Sequence, residues 1–141
     1  MTTDAGGYET VEHTADLSIR AWAPDLYGLI EQAARGMLAL MLDAPLDASG
    51  YREVAGEGCD AEELLVDCLR EVLALVNIER LVPVSVDVTS LSGDRALCRV
   101  GVVAAEDAHE ALKREIKAVT YHGLDVVCIE DGLEVTVVFD V

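Results

Sequence analysis

The sequence predicts an α/β protein of the α+β kind, a single compact domain over residues 1–141 with two main amphipathic helices and a mostly antiparallel or mixed sheet. Three observations predict it. Two stretches, Leu26 to Met41 and Leu64 to Val76, repeat apolar residues at three- and four-residue steps. Three others, beginning at Leu17, Val82 and Leu124, alternate apolar with polar residues or run apolar between turn-forming glycines. No repeat, low-complexity tract or linker divides the chain.

From Leu17 to Trp22, Leu17, Ile19 and Ala21 alternate with Ser18, Arg20 and Trp22, the period of a strand with one face in a core. Asp16 shares the polar parity of Ser18 and Arg20. Beyond Pro24, Asp25 is placed to cap a helix that carries Leu26, Leu29, Ile30, Ala33, Met37, Leu40 and Met41 and ends near Asp43, ahead of Pro45. Tyr51 to Ala55 reads as a short strand, with Gly56, Glu57 and Gly58 as a turn. Asp60 and Glu63 form a start resembling a capping box for a second helix, whose stripe is Leu64, Leu65, Cys68, Leu69, Val72, Leu75 and Val76.

Val82, Val84, Val86 and Val88 alternate with Pro83, Ser85, Asp87 and Thr89, and after Ser92-Gly93-Asp94 the alternation resumes at Ala96, Cys98, Val100 and Val102. That is a hairpin, with Pro83 suited to a strand start or an edge. A second hairpin runs from Leu124 to Ile129, turns at Glu130-Asp131-Gly132 and returns from Leu133 to Phe139, with Asp140 on the polar parity. Between them, Ala108, Leu112, Ile116 and Val119 fit a helix, and Ala118 to Tyr121 would also suit a strand. Helix is the expectation over residues 109–121.

Composition narrows function. With 27 acidic residues and a formal charge of −17, the surface repels phosphate backbones, so direct nucleic-acid binding is not expected. Such a surface suits cations, a basic protein face, or simply solubility. Although 52% of residues are hydrophobic, no apolar run nears the roughly 18 residues a spanning helix requires, and polar Thr2, Thr3 and Asp4 do not resemble a secretion signal. A cytoplasmic location is expected. Cys59, Cys68, Cys98 and Cys128 lack zinc spacing, and Cys68, Cys98 and Cys128 fall on apolar elements as expected for buried free thiols.

Two places carry candidate chemistry. If the first and last strong strands pair antiparallel, Asp16 at the start of one meets Asp140 at the end of the other, about 5 Å apart. Two such carboxylates repel unless a cation lies between them or one takes a proton, and with the oxygens of Val141 they would suit Ca²⁺ or Mg²⁺. The plainer alternative is a turn-capping Asp16 and a solvated Asp140. Lys117, one of two lysines, stands among Glu115, Ile116, Ala118 and Val119, either for a specific purpose or in a salt bridge. His13 near Asp16 admits a small metal-dependent hydrolase using Asp16, Asp140 and His13, although HExxH, GxSxG, Walker A and GxGxxG patterns are lacking.

Tyr8-Glu9-Thr10-Val11-Glu12-His13-Thr14-Ala15-Asp16, the helix ending Gly36-Met37-Leu38-Ala39-Leu40-Met41, the acidic start of the second helix, Glu115-Ile116-Lys117-Ala118-Val119-Thr120-Tyr121-His122, and the terminal Val137-Val138-Phe139-Asp140-Val141 resemble the archease family over nearly the whole chain. The resemblance implies a compact mixed α/β domain that activates an RtcB-type RNA ligase in tRNA splicing and RNA repair, promoting its guanylylation and turnover with no catalysis of its own. It also implies a calcium site at Asp16, Asp140 and Val141, and a functionally important lysine at Lys117. Val141 stands where many relatives have isoleucine, a change that leaves a backbone oxygen ligand intact.

Overall fold

A computed structural model describes residues 6–12 and 17–141. Its elements, in order, are β1 (Gly7–Glu12), β2 (Leu17–Ala23), α1 (Leu26–Met41), β3 (Gly50–Glu57), α2 (Ala61–Asn77), β4 (Leu81–Ser92), β5 (Arg95–Ala104), α3 (Ala105–Ala108), β6 (Ala118–Val119), β7 (Val127–Ile129) and β8 (Gly132–Asp140). Among the described residues every strand pair is antiparallel. One sheet has the order β1-β2-β8-β6, with β7 pairing β8 as well, and the other has the order β3-β5-β4.

Both long helices start as their caps dictate. The Asp25 carboxylate accepts from the Gly28 N–H at 2.8 Å, and Asp60 accepts from the Glu63 N–H at 2.8 Å. Glu63 in turn accepts from the Cys59 N–H at 2.8 Å, so the reciprocal box closes one residue earlier than the usual pattern. α1 then buries Leu29, Ile30, Met37 and Met41 completely, and α2 buries Leu64, Leu65, Leu69 and Val72. Each such side chain contributes about 1.5–3 kcal/mol relative to exposure. α1 packs on β1, β2 and β8 as well as β4, and α2 packs on β3, β4, β5 and β6, so one core joins both sheets.

The β4–β5 hairpin follows the valine alternation. Ser92 pairs with Arg95 around the two-residue loop, where Gly93 has φ +61°, a conformation the primed hairpin turns give to glycine. β4 is an edge strand, which accommodates Pro83, and its register shifts between Pro83 and Ser85. The expected turn at Gly56-Glu57 is instead the last part of β3. Gly56 lies so close to Cys68 of α2 that a Cβ there would collide with it, and glycine serves close packing rather than a turn.

The expected helix over residues 109–121 does not form. Only the four residues of α3 are helical, and Ala118–Val119 pair with β8 as a strand. The segment between them spends its backbone groups on α1: Asp43 N–H donates to Ala111 C=O at 2.8 Å, and Lys113 N–H donates to Met41 C=O at 2.9 Å. Leu112 also bridges to Leu42, and α3 has no side-chain cap to propagate it. Tertiary hydrogen bonds therefore outweigh a weak local helical pattern. β1 was not anticipated from alternation. The second hairpin formed as expected, with its first strand shortened to Val127–Ile129.

Cys68 and Cys98 are buried, as expected, but Cys128 is exposed because β7 is a short edge strand with all three residues open to solvent. A hydrogen bond with Cys98, together with burial, raises the Cys68 thiol above its ordinary value, which suppresses its thiolate. A thiol reagent at pH 8 is accordingly expected to modify Cys59 and Cys128 in the native protein and all four cysteines after denaturation. Labelling of Cys68 or Cys98 at the rate of Cys128 would show that this part of the core opens readily.

Candidate functional site at the end of the first sheet

The condition for bringing Asp16 near Asp140 was antiparallel pairing of the first and last strong strands. β2 and β8 do pair antiparallel, with Leu17 opposite Phe139 and Ile19 opposite Val137. Asp16 and His13 lie outside the described residues. Asp140 is the last residue of β8, exposed, and opposite Ala118 of β6. Val141 follows it and is 43% exposed.

The structure joins two residues that arose from separate motifs. Lys117 donates its backbone N–H to the Asp140 carbonyl at 2.8 Å, so the lysine and the carboxylate occupy one corner of the sheet. Both side chains are exposed. Next along the chain, Thr120 donates its N–H to Val138 C=O at 3.1 Å and its hydroxyl to the same oxygen at 2.9 Å. The Thr120 hydroxyl also accepts from the His122 N–H at 3.3 Å, which holds the strand exit in place. Thr120, His122, Val138, Phe139 and Asp140 line a shallow cavity of about 260 Å³.

On the α2 side of β6 lies a second cavity of about 300 Å³, with Arg70, Asn77, Ile78 and Lys117 in its wall. Arg70 donates to Val119 C=O at 3.2 Å and lies over the Tyr121 ring, 5.0 Å from its centroid. Elsewhere on this sheet Arg20 spans three strands, bonding Glu9 at 2.7 Å and Glu134 at 2.8 Å and lying 4.7 Å from the Trp22 ring centroid. The hydrogen bond from Arg20, and then its charge, hold the Glu9 carboxyl below its ordinary value.

Chemically, the corner offers oxygen donors from Asp140 and Val141, the donor class of hard cations, while the Lys117 side chain lines the cavity on the α2 side. Among the described residues no group of three or more His, Cys, Asp or Glu is arranged to hold a metal, and no helix is long and apolar enough to cross a membrane. Sequence reasoning missed Arg70, which lies on the outer stripe of α2 with no motif around it, and the cavity roles of Thr120 and His122. The one available signal for the latter pair was their place in the Glu115-to-His122 segment.

A family model described as the Archease protein family (MTH1598/TM1083) matches residues 8–141. Protein archease of Methanosarcina acetivorans is 31% identical over 146 residues, spanning 100% of both chains. Protein archease of Thermococcus gammatolerans is 34% identical, covering 89% of this chain and 91% of its own. The solution structure of Methanobacterium thermoautotrophicum protein 1598 is 26% identical with a TM-score of 0.74, covering 96% of this chain and 99% of that one. A Thermotoga maritima crystal structure, described as an archease and possible chaperone, shares the fold at 23% identity and a TM-score of 0.64, covering 94% and 96% respectively.

Proposed function

This chain belongs to the archease family, and from that premise we propose that it is a non-catalytic accessory protein that activates an RtcB-type RNA ligase by promoting its guanylylation and turnover. The observation that carries the reading is the corner where Lys117 and Asp140 are tied by one backbone hydrogen bond. That bond fixes the backbone of the lysine against the strand end that carries the carboxylate, with Lys117 in the wall of the cavity on the α2 side and Asp140 in the wall of the other. The charge of −17 supports a protein partner with a basic face rather than RNA itself.

The proposed metal is calcium, held by Asp16, Asp140 and the backbone oxygen of Val141. The described part of that set fits a hard cation, because its donors are oxygens and the Asp140 carboxylate is open to solvent at a strand end. When bound, calcium supplies the positive charge that lets neighbouring carboxylates coexist. The chain's own contribution is to fix that strand end, through the hydrogen bond from Lys117 and the pairing of Phe139 with Leu17 and Val119.

Asp140→Ala is expected to reduce calcium affinity at least about tenfold, since about 1.4 kcal/mol is a factor of ten and a lost charged ligand exceeds that. The melting temperature without calcium should change little, because the side chain is exposed. Calorimetric calcium titration beside thermal melting checks both, and unchanged affinity would remove the site.

The test of the function is to mix the purified protein with the RNA ligase of the same organism and score ligase guanylylation and multiple-turnover joining. Stimulation by this protein, with no joining or nucleotide hydrolysis by it alone, is the expected result. Intrinsic hydrolysis that depends on Asp140 would favour the metal-dependent hydrolase reading instead.

A further inference from the structure

We infer that the cavity between the C-terminal half of α2 and β6 receives an acidic side chain of a protein partner, with Arg70 and Lys117 as its cations and Ile78 as its apolar rim. The inference rests on the accessory reading for the partner's being a protein, and it adds a site, a ligand chemistry and two residues that reading does not use.

α2 presents Arg70, Ala74, Asn77 and Ile78 along one stripe, opposite the stripe that enters the core. Lys117, Ala118 and Val119 complete the cavity from the other side, and its lining contains two cations and no carboxylate. In a chain with 27 acids and 10 bases that is an unusual concentration of one sign. Among the described residues Arg20, Arg35, Arg52, Arg95 and Lys113 have carboxylate partners, whereas Arg70 and Lys117, like Arg80, Arg99 and Arg114, are in no ion pair; of these five only Arg70 and Lys117 share a cavity.

Arg70 is also ordered in advance. Its bond to Val119 C=O and its stacking on Tyr121 hold the guanidinium in place. Little side-chain freedom is then lost on binding, and the remaining N–H groups are available for a carboxylate.

The rim identifies the occupant. Ile78 is 78% exposed, the most open large aliphatic among the described residues, and a singly exposed aliphatic needs no explanation on its own. Beside two cations, however, it matches an acidic residue flanked by apolar neighbours on a protein surface. A free phosphate would leave Ile78 uncovered, and a polyphosphate or RNA would bring several negative charges toward a chain of −17. At about 300 Å³ the cavity has room for a side chain and stands at the lower limit of small-molecule sites.

The first experiment is an NMR titration of the isotopically labelled protein with three probes: acetyl-Leu-Glu-Leu-amide, acetyl-Leu-Gln-Leu-amide and inorganic phosphate. The Glu peptide is expected to shift the Arg70 Nε–H, the Ile78 methyls and the Ala118 and Val119 amides saturably. The Gln peptide should bind at least about tenfold more weakly, as expected for loss of a charge-assisted hydrogen bond. Equal shifts from both peptides, or shifts from phosphate alone, would overturn the inference.

The second experiment measures binding of the RNA ligase to wild type, Arg70→Gln and Ile78→Ser, each checked by melting and calcium titration. About tenfold weaker binding with unchanged calcium affinity is expected for either variant. Wild-type binding by both variants would refute the pocket and leave the accessory reading intact. If the ligase fails to bind even the wild-type protein, the accessory reading falls, and the peptide titration still decides the pocket.

Discussion

Lys117→Ala is expected to abolish stimulation of ligase guanylylation while melting temperature and calcium affinity stay near wild type. The Lys117 side chain is exposed, so its loss should cost the fold only about 0–1 kcal/mol. Its backbone bond to Asp140 does not depend on the side chain and survives the substitution. A purely structural role is available to it, because the cavity it lines includes Asn77 and Ile78 at the C-terminal end of α2, where a cation offsets the helix dipole. That role predicts a lower melting temperature with full stimulation by the folded fraction, the opposite outcome. Lys117→Arg separates two further possibilities. Retained stimulation means that charge suffices, and loss means that a compact ammonium is required. The measurements are guanylylation with the partner ligase, calorimetric calcium titration and thermal unfolding on the same preparations.

Phe139→Ala should produce the largest loss of stability. Phe139 is fully buried, the largest such side chain among the described residues, and it sits on β8 between Leu17 of β2 and Val119 of β6. Truncating a buried phenylalanine costs about 3–5 kcal/mol, a large share of the roughly 5–15 kcal/mol that holds a domain folded. For a chain of 141 residues this corresponds to a fall in melting temperature of about 10–15 °C. Calcium affinity should fall as well, since Asp140 is the next residue and depends on the same strand end. Urea and thermal unfolding check the first effect. A loss below about 1 kcal/mol would mean that the end of β8 frays and that the corner is not held by the core.

Both predictions concern residues whose roles were legible to different degrees. The amphipathic helices, their Asp25 and Asp60 caps, the β4–β5 hairpin and the polar parity of Asp140 were readable because periodicity, capping and turn chemistry are local. Family resemblance pointed to Lys117 and, with strand parity, to Asp140, while the pairing of the first and last strong strands was only a condition of the argument, which β2 and β8 meet. Asp16 entered on the same parity argument and lies outside the described residues.

By itself the sequence determined which segments carry an apolar face, where the two long helices begin, and that the surface is strongly acidic. Tertiary structure decided the rest, because hydrogen-bond partners and covering layers come from distant parts of the chain. Residues 109–117 leave the helical pattern because the end of α1 takes their backbone groups. Cys128 is exposed although its strand is apolar, since no layer among the described residues covers β7. Lys117 reaches Asp140 across 23 positions of sequence only because β6 pairs with β8, and Arg70 reaches Val119 and Tyr121 only because α2 packs beside β6. Periodicity reports which side of an element avoids water, whereas the identity of the neighbour depends on how the elements pack.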